Sequence, residues 1–374
     1  MKIKHISIHQ IKIPLKFSFK TAKTELNVRD TLIIMIENEN GIMGFGEVVS
    51  FLTPFYSAET QEMSFDALYH HYIPKLLHHP LNHPFEIHEL LKNEEIFPMA
   101  IAGLENALLD LYYKEKNQIL MREIFKGEHF NDSIERGAVI SDLGIEQTIN
   151  EIEKVKKDGV RRIKIKVHPE NAYKKMKQVM TLFPTLDFAV DANRSYKWSQ
   201  LNEYKKLDKL ALLCIEDPFD TQNISDYQNI LKDLNTPVCF DENITSLFTL
   251  NKLCNVPGKK WVNLKIGRLG GLYQIREAIN ICRAHHVRFW VGSMVETGIS
   301  KILHVQLSGL ADNVMPGDLS DASHYFKEDL ISPEIKFVNG KMKLPDGIGL
   351  GVSVNLERIK KYTIHSVNFD AKNV

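Results

Sequence analysis

The chain has 374 residues, with 47 acidic and 47 basic side chains and no formal net charge at neutral pH. That length suits an α/β barrel with a smaller companion domain, and the balanced charge offers no field to hold nucleic acid or an anionic membrane, which leaves a small molecule as the expected partner. The four cysteines, Cys214, Cys239, Cys254 and Cys282, contain no CxxC pair, which argues against a zinc knuckle or a disulfide framework and reads as reduced core thiols.

The first residues, Met1-Lys2-Ile3-Lys4-His5-Ile6-Ser7-Ile8, alternate charged and β-branched side chains and lack an apolar core segment. With no apolar stretch of membrane-spanning length anywhere, a cytoplasmic protein without membrane contact is expected. Ile6, Ile8, Ile11 and Ile13 are spaced by two in pairs, and 31–37 is β-branched and apolar before the turn Asn38-Glu39-Asn40-Gly41. This predicts an antiparallel sheet. From 59 to 116 the pattern turns helical, with Ala102, Leu104, Leu108, Leu109 and Leu111 forming an apolar stripe beneath Glu105 and Asp110. Histidines 70, 71, 78, 79, 83 and 88 crowd this region, but without ligand spacing and broken by Pro80 and Pro84 they read as surface and turn residues.

After Gly137 the texture changes to short β-rich runs separated by helical stretches. The runs are 138–140, 163–167, 186–190, 212–215, 237–240, 261–264, 288–291 and a short one at Val314-Met315, eight in all. Their recurrence matches a (β/α)8 barrel, whose chemistry sits at the C-terminal mouth. A doubly wound sheet would not gather the second through sixth strand ends around one centre, and no GxGxxG follows the first run. We expect a capping α+β domain over 1–125, the barrel over 126–345, and a segment 346–374 that returns to the cap.

The strand ends carry the side chains of interest. Val190-Asp191-Ala192-Asn193, Ile215-Glu216-Asp217-Pro218 and Phe240-Asp241-Glu242-Asn243 each follow an apolar run with an acid. Taken singly, each acid reads as a helix cap. As a set at barrel spacing they read as ligands, because adjacent carboxylates repel unless a cation neutralises them, and all-oxygen ligation favours Mg²⁺, with Mn²⁺ as a substitute. In Arg162-Ile163-Lys164-Ile165-Lys166-Val167 the two lysines share a face, and the apolar residues on the other face must meet the helices, so the ammonium groups point into the barrel. Alone, such a pair would read as a solvated edge. Lys265, on the sixth run opposite the second, puts an amine on either side of a substrate α-carbon. That arrangement suits removal of an acidic C–H proton through an enediolate, with Lys166 and Lys265 as acid/base and Lys164 lowering the pKa of Lys166.

The segments KxK, VDAN, Ile215-Glu216-Asp217-Pro218, Asp241-Glu242, Asn263-Leu264-Lys265-Ile266-Gly267-Arg268-Leu269-Gly270-Gly271 and Gly292-Ser293-Met294-Val295-Glu296-Thr297-Gly298 resemble the enolase superfamily, and within it the o-succinylbenzoate synthase and N-acylamino acid racemase family. Pro54-Phe55-Tyr56-Ser57 and Pro316-Gly317-Asp318-Leu319-Ser320 extend the likeness to nearly the whole chain. The resemblance implies a modified (β/α)7β TIM-like barrel with an α+β cap. It makes Lys166 and Lys265 the paired acid/base groups with Lys164 assisting, and Asp191, Glu216 and Asp241 the metal ligands. Glu242 and Asn263 are expected to support these, and Phe19, Phe51, Tyr56, Asn193, Gly292, Ser293, Met294 and Asp318 to meet substrate. The aromatic loops 17–21 and 51–56 read equally as domain packing or as a lid that excludes water.

Three departures bear on substrate. Ser293 stands where a second glycine is common, Gly137-Ala138-Val139-Ile140 lacks a common serine, and Asp321 sits where a dipeptide epimerase would bind an ammonium group. The alternatives are dipeptide epimerase, muconate cycloisomerase and an inactive paralogue kept as a ligand-binding protein, the last of which predicts a lost ligand or lysine. A homo-oligomer is expected.

Overall fold

The computed structural model describes residues 1–20, 25–221 and 223–371, so Thr21 of the first aromatic segment lies outside the described residues. Strands β1 (Ile3–Lys20), β2 (Glu25–Asn38) and β3 (Met43–Val48) form an antiparallel meander, and the final strand Thr363–Asp370 joins its edge by pairing with β1. The paired spacing of isoleucines has a structural meaning. Ile6 and Ile8 pack into the core of the capping domain, whereas Ile11 and Ile13 pack into the core that includes the barrel. Between them, at Gln10/Ile11, the register with the final strand slips. The extra residue at that slip, Ile364, is on the final strand, while β1 pairs with β2 unbroken from His5 to Pro14; the odd spacing from Ile8 to Ile11 carries the apolar set to the other face, so a single strand serves two cores. Phe17, Ser18 and Phe19, expected in a loop, instead continue β1.

The helix Pro98–Glu115 lies against β3 so closely that a Cβ on Gly46 would strike the carbonyl of Gly103, and one on Gly103 would strike Val48. Such contact buries the helix on every side, which corrects the one-sided stripe expected of it: Glu105 and Asp110 have no exposed surface. Both acids are satisfied across element boundaries. Asp110 accepts backbone N–H groups from Phe45 and Leu350, and Glu105 those of Leu272 and Tyr273. Glu105 also pairs with His88, which is therefore not a free surface histidine.

Seven parallel strands make the barrel wall in sequence order: β4 (Ala138–Ile140), β5 (Arg162–Lys166), β6 (Asp187–Asp191), β7 (Ile215–Glu216), β8 (Val238–Phe240), β9 (Lys260–Leu264) and β10 (Arg288–Val291). The eighth, expected at Val314-Met315, forms no regular strand. Instead, isolated bridges tie Asn313 to Phe289 and Gly317 to Arg136, with Val314 N–H donating to Phe289 O at 3.1 Å and Gly137 N–H to Gly317 O at 2.8 Å. Pro316 interrupts the ladder because it has no N–H to give. The Arg162 guanidinium closes the gap, donating to Pro316 O and pairing with Asp318 at 2.6 Å.

Inside the barrel, Ala189, Cys214, Cys239, Trp261, Trp290 and Met315 fill the space below the mouth as a separate apolar cluster, with Trp290 Nε1–H directed at Cys239 Sγ. All four cysteines are buried and free, as expected.

Candidate active site

The C-terminal strand ends bring the singled-out residues together at one rim. Asp191 ends β6, Glu216 ends β7, and Asp241 and Lys265 directly follow β8 and β9. Lys164 and Lys166 share the inner face of β5, while Ile163, Ile165 and Val167 lie in the outer core. Exposure separates the two lysines: the Lys164 side chain is 6 % exposed and that of Lys166 34 %. Only Lys166 is open to an incoming molecule from that strand.

Lys164 is surrounded by acids. Its Nζ lies 2.8 Å from Glu216 Oε2, 2.7 Å from Asp318 Oδ2 and 3.8 Å from Asp191 Oδ2. Burial opposes its charge, but Asp318, Glu216 and Asp191 outweigh burial and hold its pKa well above the usual lysine value. Lys166 donates to Asn193 Oδ1 at 2.8 Å and stands 3.7 Å from Asp191. Asn193, in left-handed backbone with φ 43°, also donates its N–H and side-chain amide back to Asp191 and so fixes that carboxylate. Across the barrel, Lys265 Nζ is 2.7 Å from Asp241 Oδ2 and 3.3 Å from the Tyr56 hydroxyl. Burial works against the Lys265 charge, and Asp241 more than restores it, raising the pKa above that of a free lysine.

The carboxylates divide in the same way. Asp241, although buried, is held far below the ordinary range by Arg268 and Lys265, which occupy both its oxygens. Glu216 is pushed up to about 8, first by burial and, against the relief from Lys164, by the charges of Asp191, Asp241 and Asp318. Asn263 Nδ2 donates to Glu216 at 3.3 Å, and Asn263 Oδ1 is buried without a partner. Asp217 accepts the backbone N–H groups of Asp241 and Glu242, and burial followed by the Glu242 carboxylate drives its pKa up.

Among the described residues no three His, Cys, Asp or Glu side chains stand close enough to share a cation, and the acids are met by amines instead. The donor chemistry nevertheless fits a hard divalent ion: three carboxylates on adjacent strand ends, one of them pushed toward protonation by burial and then by its acidic neighbours.

The remaining residues fall in different places. Tyr56 reaches in from the cap, its hydroxyl 2.9 Å from Arg268 Nη1 as well as near Lys265. Phe51 is buried within the cap, against Phe55 and beneath Arg29, and Met294 packs from the barrel part of the chain into the capping core. Phe19 meets Tyr325 edge-on at 6.0 Å. Ser293 Oγ–H donates to Asp318 O at 2.9 Å, and Gly292 leaves space that a Cβ would take from Asn263 Oδ1. Asp318 itself is engaged by Arg162 and Lys164. Asp321 accepts the N–H of Phe337 at 2.7 Å through one of its two oxygens. Arg162 and Arg268 join the site without a motif of their own to mark them. Their signal was position alone, two residues before Lys164 and three after Lys265.

A parallel barrel with acids and opposed lysines at its C-terminal mouth, under a cap that reaches them, is the architecture of a barrel enzyme. Two family models cover it: the mandelate racemase / muconate lactonizing enzyme N-terminal domain over residues 3–123 and the enolase C-terminal domain-like family over 147–359. The o-succinylbenzoate synthase of Bacillus subtilis is 34% identical over 362 residues, spanning 97% of each chain. The N-succinylamino acid racemase of Thermus thermophilus is 30% identical, covering 97% of this chain and 98% of that one. A crystal structure of an enolase superfamily member from Listeria innocua superposes with a TM-score of 0.94 at 30% identity, over 99% of this chain and 100% of the other. The chain belongs to the enolase superfamily, in its o-succinylbenzoate synthase and N-succinylamino acid racemase family, and is an enzyme.

Proposed function

We propose that this enzyme removes the proton next to a substrate carboxylate, forming o-succinylbenzoate by dehydration and, at the same site, racemising N-succinylamino acids. The observation that carries the reading is the placement of Lys166 at the end of β5 and of Lys265 directly after β9, second and sixth around the barrel, each beside a carboxylate, Asp191 and Asp241 respectively. A substrate between them has one amine on each face of its α-carbon. In racemisation one lysine takes the proton and the other returns one on the opposite face. In dehydration Lys166, the more open amine, first takes the α-proton, Lys265, kept cationic by Asp241, stabilises the negative charge of the enediolate, and the hydroxyl then leaves as water, taking a proton back from the Lys166 ammonium. Asp191, Glu216 and Asp241 would hold Mg²⁺ or Mn²⁺, which supplies Lewis-acid stabilisation of that same charge.

Two assays test this with Mg²⁺ present: formation of o-succinylbenzoate from its hydroxylated cyclohexadiene precursor, and α-proton exchange of N-succinylamino acids in D₂O followed by NMR. Either activity supports the reading. The absence of both from folded, metal-supplied protein would overturn it.

A further inference from the structure

Lys265 follows β9 and is itself followed by the short helix Ile266–Leu269. The first N–H groups of a helix have no partner within it. That of Ile266 is satisfied from another element, donating to His304 Nε2 at 3.1 Å. His304 lies on the helix Gly298–Leu307 with no exposed surface, and its Nδ1 is 3.3 Å from both the Ser300 carbonyl and Glu296 Oε1. A ring whose Nε2 accepts carries its proton on Nδ1, where both neighbours are acceptors. Burial keeps that ring neutral, with its pKa pushed down to about 3. Glu296 also accepts the Met294 N–H at 3.2 Å and the Ser300 hydroxyl at 2.9 Å. Contacts therefore run from the loop after β10, beside Ser293, to the backbone adjoining Lys265: Glu296 bonds to Met294 and Ser300 and lies 3.3 Å from His304 Nδ1, and His304 bonds to Ser300 and Ile266.

We infer that His304, held by Glu296, is a positioning residue for Lys265: it anchors the Ile266 N–H and so sets the direction in which the lysine leaves β9. The residue after Lys166 is anchored differently, by backbone alone: Val167 N–H donates to the Asp191 carbonyl at 3.0 Å, and the Lys166 side chain meets Asn193 and Asp191. The inference rests on the proposed two-lysine proton transfer, and that asymmetry supplies its test. Each enantiomer of a substrate gives its α-proton to one lysine only, and Lys265→Ala identifies which enantiomer depends on Lys265.

The experiment compares α-proton exchange of D- and L-N-succinylalanine in D₂O for the Mg²⁺-supplied wild type, His304→Leu and His304→Gln. His304→Leu is expected to slow exchange of the Lys265-dependent enantiomer by roughly tenfold or more relative to the other, with KM changed by less than about twofold, because small misplacements of a reacting group are costly in rate. His304→Gln, whose amide oxygen can accept the Ile266 N–H, is expected to restore the ratio toward that of the wild type. Equal slowing of both enantiomers, or an unchanged ratio, overturns the inference. Should His304→Leu not fold, Glu296→Gln decides by the same ratio: a skew against the Lys265-dependent enantiomer supports the relay and an even ratio overturns it. Wild-type enzyme that exchanges neither enantiomer would refute the racemase reading and the inference with it, whereas an even ratio in active variants refutes the inference alone.

Discussion

Lys164 and Lys166 are two residues apart on one face of one strand, yet their surroundings give them different work. Lys164 is an internal counter-ion for Glu216, Asp318 and Asp191, and Lys166 is open to the mouth. Alanine at Lys166 or at Lys265 should lower interconversion of N-succinylamino acid enantiomers by at least about a hundredfold, the scale of a lost general acid or base. The circular dichroism spectrum of each variant should match that of the wild type, and racemisation near the wild-type rate in either would contradict the two-lysine mechanism. Glu296 allows a prediction about pH. Burial raises its carboxyl from 4.5 to about 7 in the folded protein. Below about pH 4.5 both folded and unfolded chains hold the proton, so Glu296 contributes no penalty there. Between about 4.5 and 7 the folded state keeps a proton that the unfolded chain has released, so stability falls as pH rises, by about 1 to 3 kcal/mol in total. In Glu296→Gln that part of the slope should vanish from urea midpoints measured at pH 5 and pH 8, and an undiminished slope would assign it to other groups.

Individual elements show how local chemistry is bent to the barrel. Residues 313–318 close the ring without forming a strand, and a charged clamp stands in for the missing ladder: Arg162 holds Pro316 O and Asp318, and Asp318 holds Lys164. Arg162→Leu leaves the Asp318 charge short of a partner and opens the seam between β5 and the 313–318 segment. It should cost about 3 kcal/mol, as breaking a buried ion pair does, measured by urea denaturation, and a loss under about 1 kcal/mol would show that the bridges at Asn313 and Gly317 close the barrel unaided. The pattern of strands was legible because β-rich runs and helical runs alternate along the chain. The failure of the eighth strand was signalled only by Pro316, whose effect depends on which neighbour it was meant to pair with. In β1 the spacing Ile6, Ile8, Ile11, Ile13 already contained the change of face. The existence of two cores to face did not show in it.

At the scale of the whole molecule, the cap is joined to the barrel by acids that reach across. Glu105 receives the Leu272 and Tyr273 N–H groups at the start of the helix Leu272–Ala284, and Glu47 on β3 receives Thr297 N–H, Thr297 Oγ–H and Ser300 N–H. Tyr56 carries the same contact into the site through Lys265 and Arg268. Glu105→Ala would strand two buried N–H groups and His88, and should lower stability by about 2 kcal/mol. Urea denaturation followed by tryptophan fluorescence measures this, since Trp198, Trp261 and Trp290 all lie in the barrel part of the chain. No change in midpoint would mean that apolar packing alone docks the two parts.

The sequence by itself determined the periodicities, and with them the sheet, the run of βα units, and the acids and lysines that end the strands, because side-chain direction in a strand follows from spacing alone. It could also place Lys164 and Lys166 together, being neighbours on one chain segment. Tertiary structure decided which charges meet: that Asp241 binds Lys265 and Arg268, that Asp318 binds Lys164, and that Glu105 and Asp110 are buried. Those outcomes depend on distances between segments far apart in the chain, and the energy of a charge is set by what surrounds it in space.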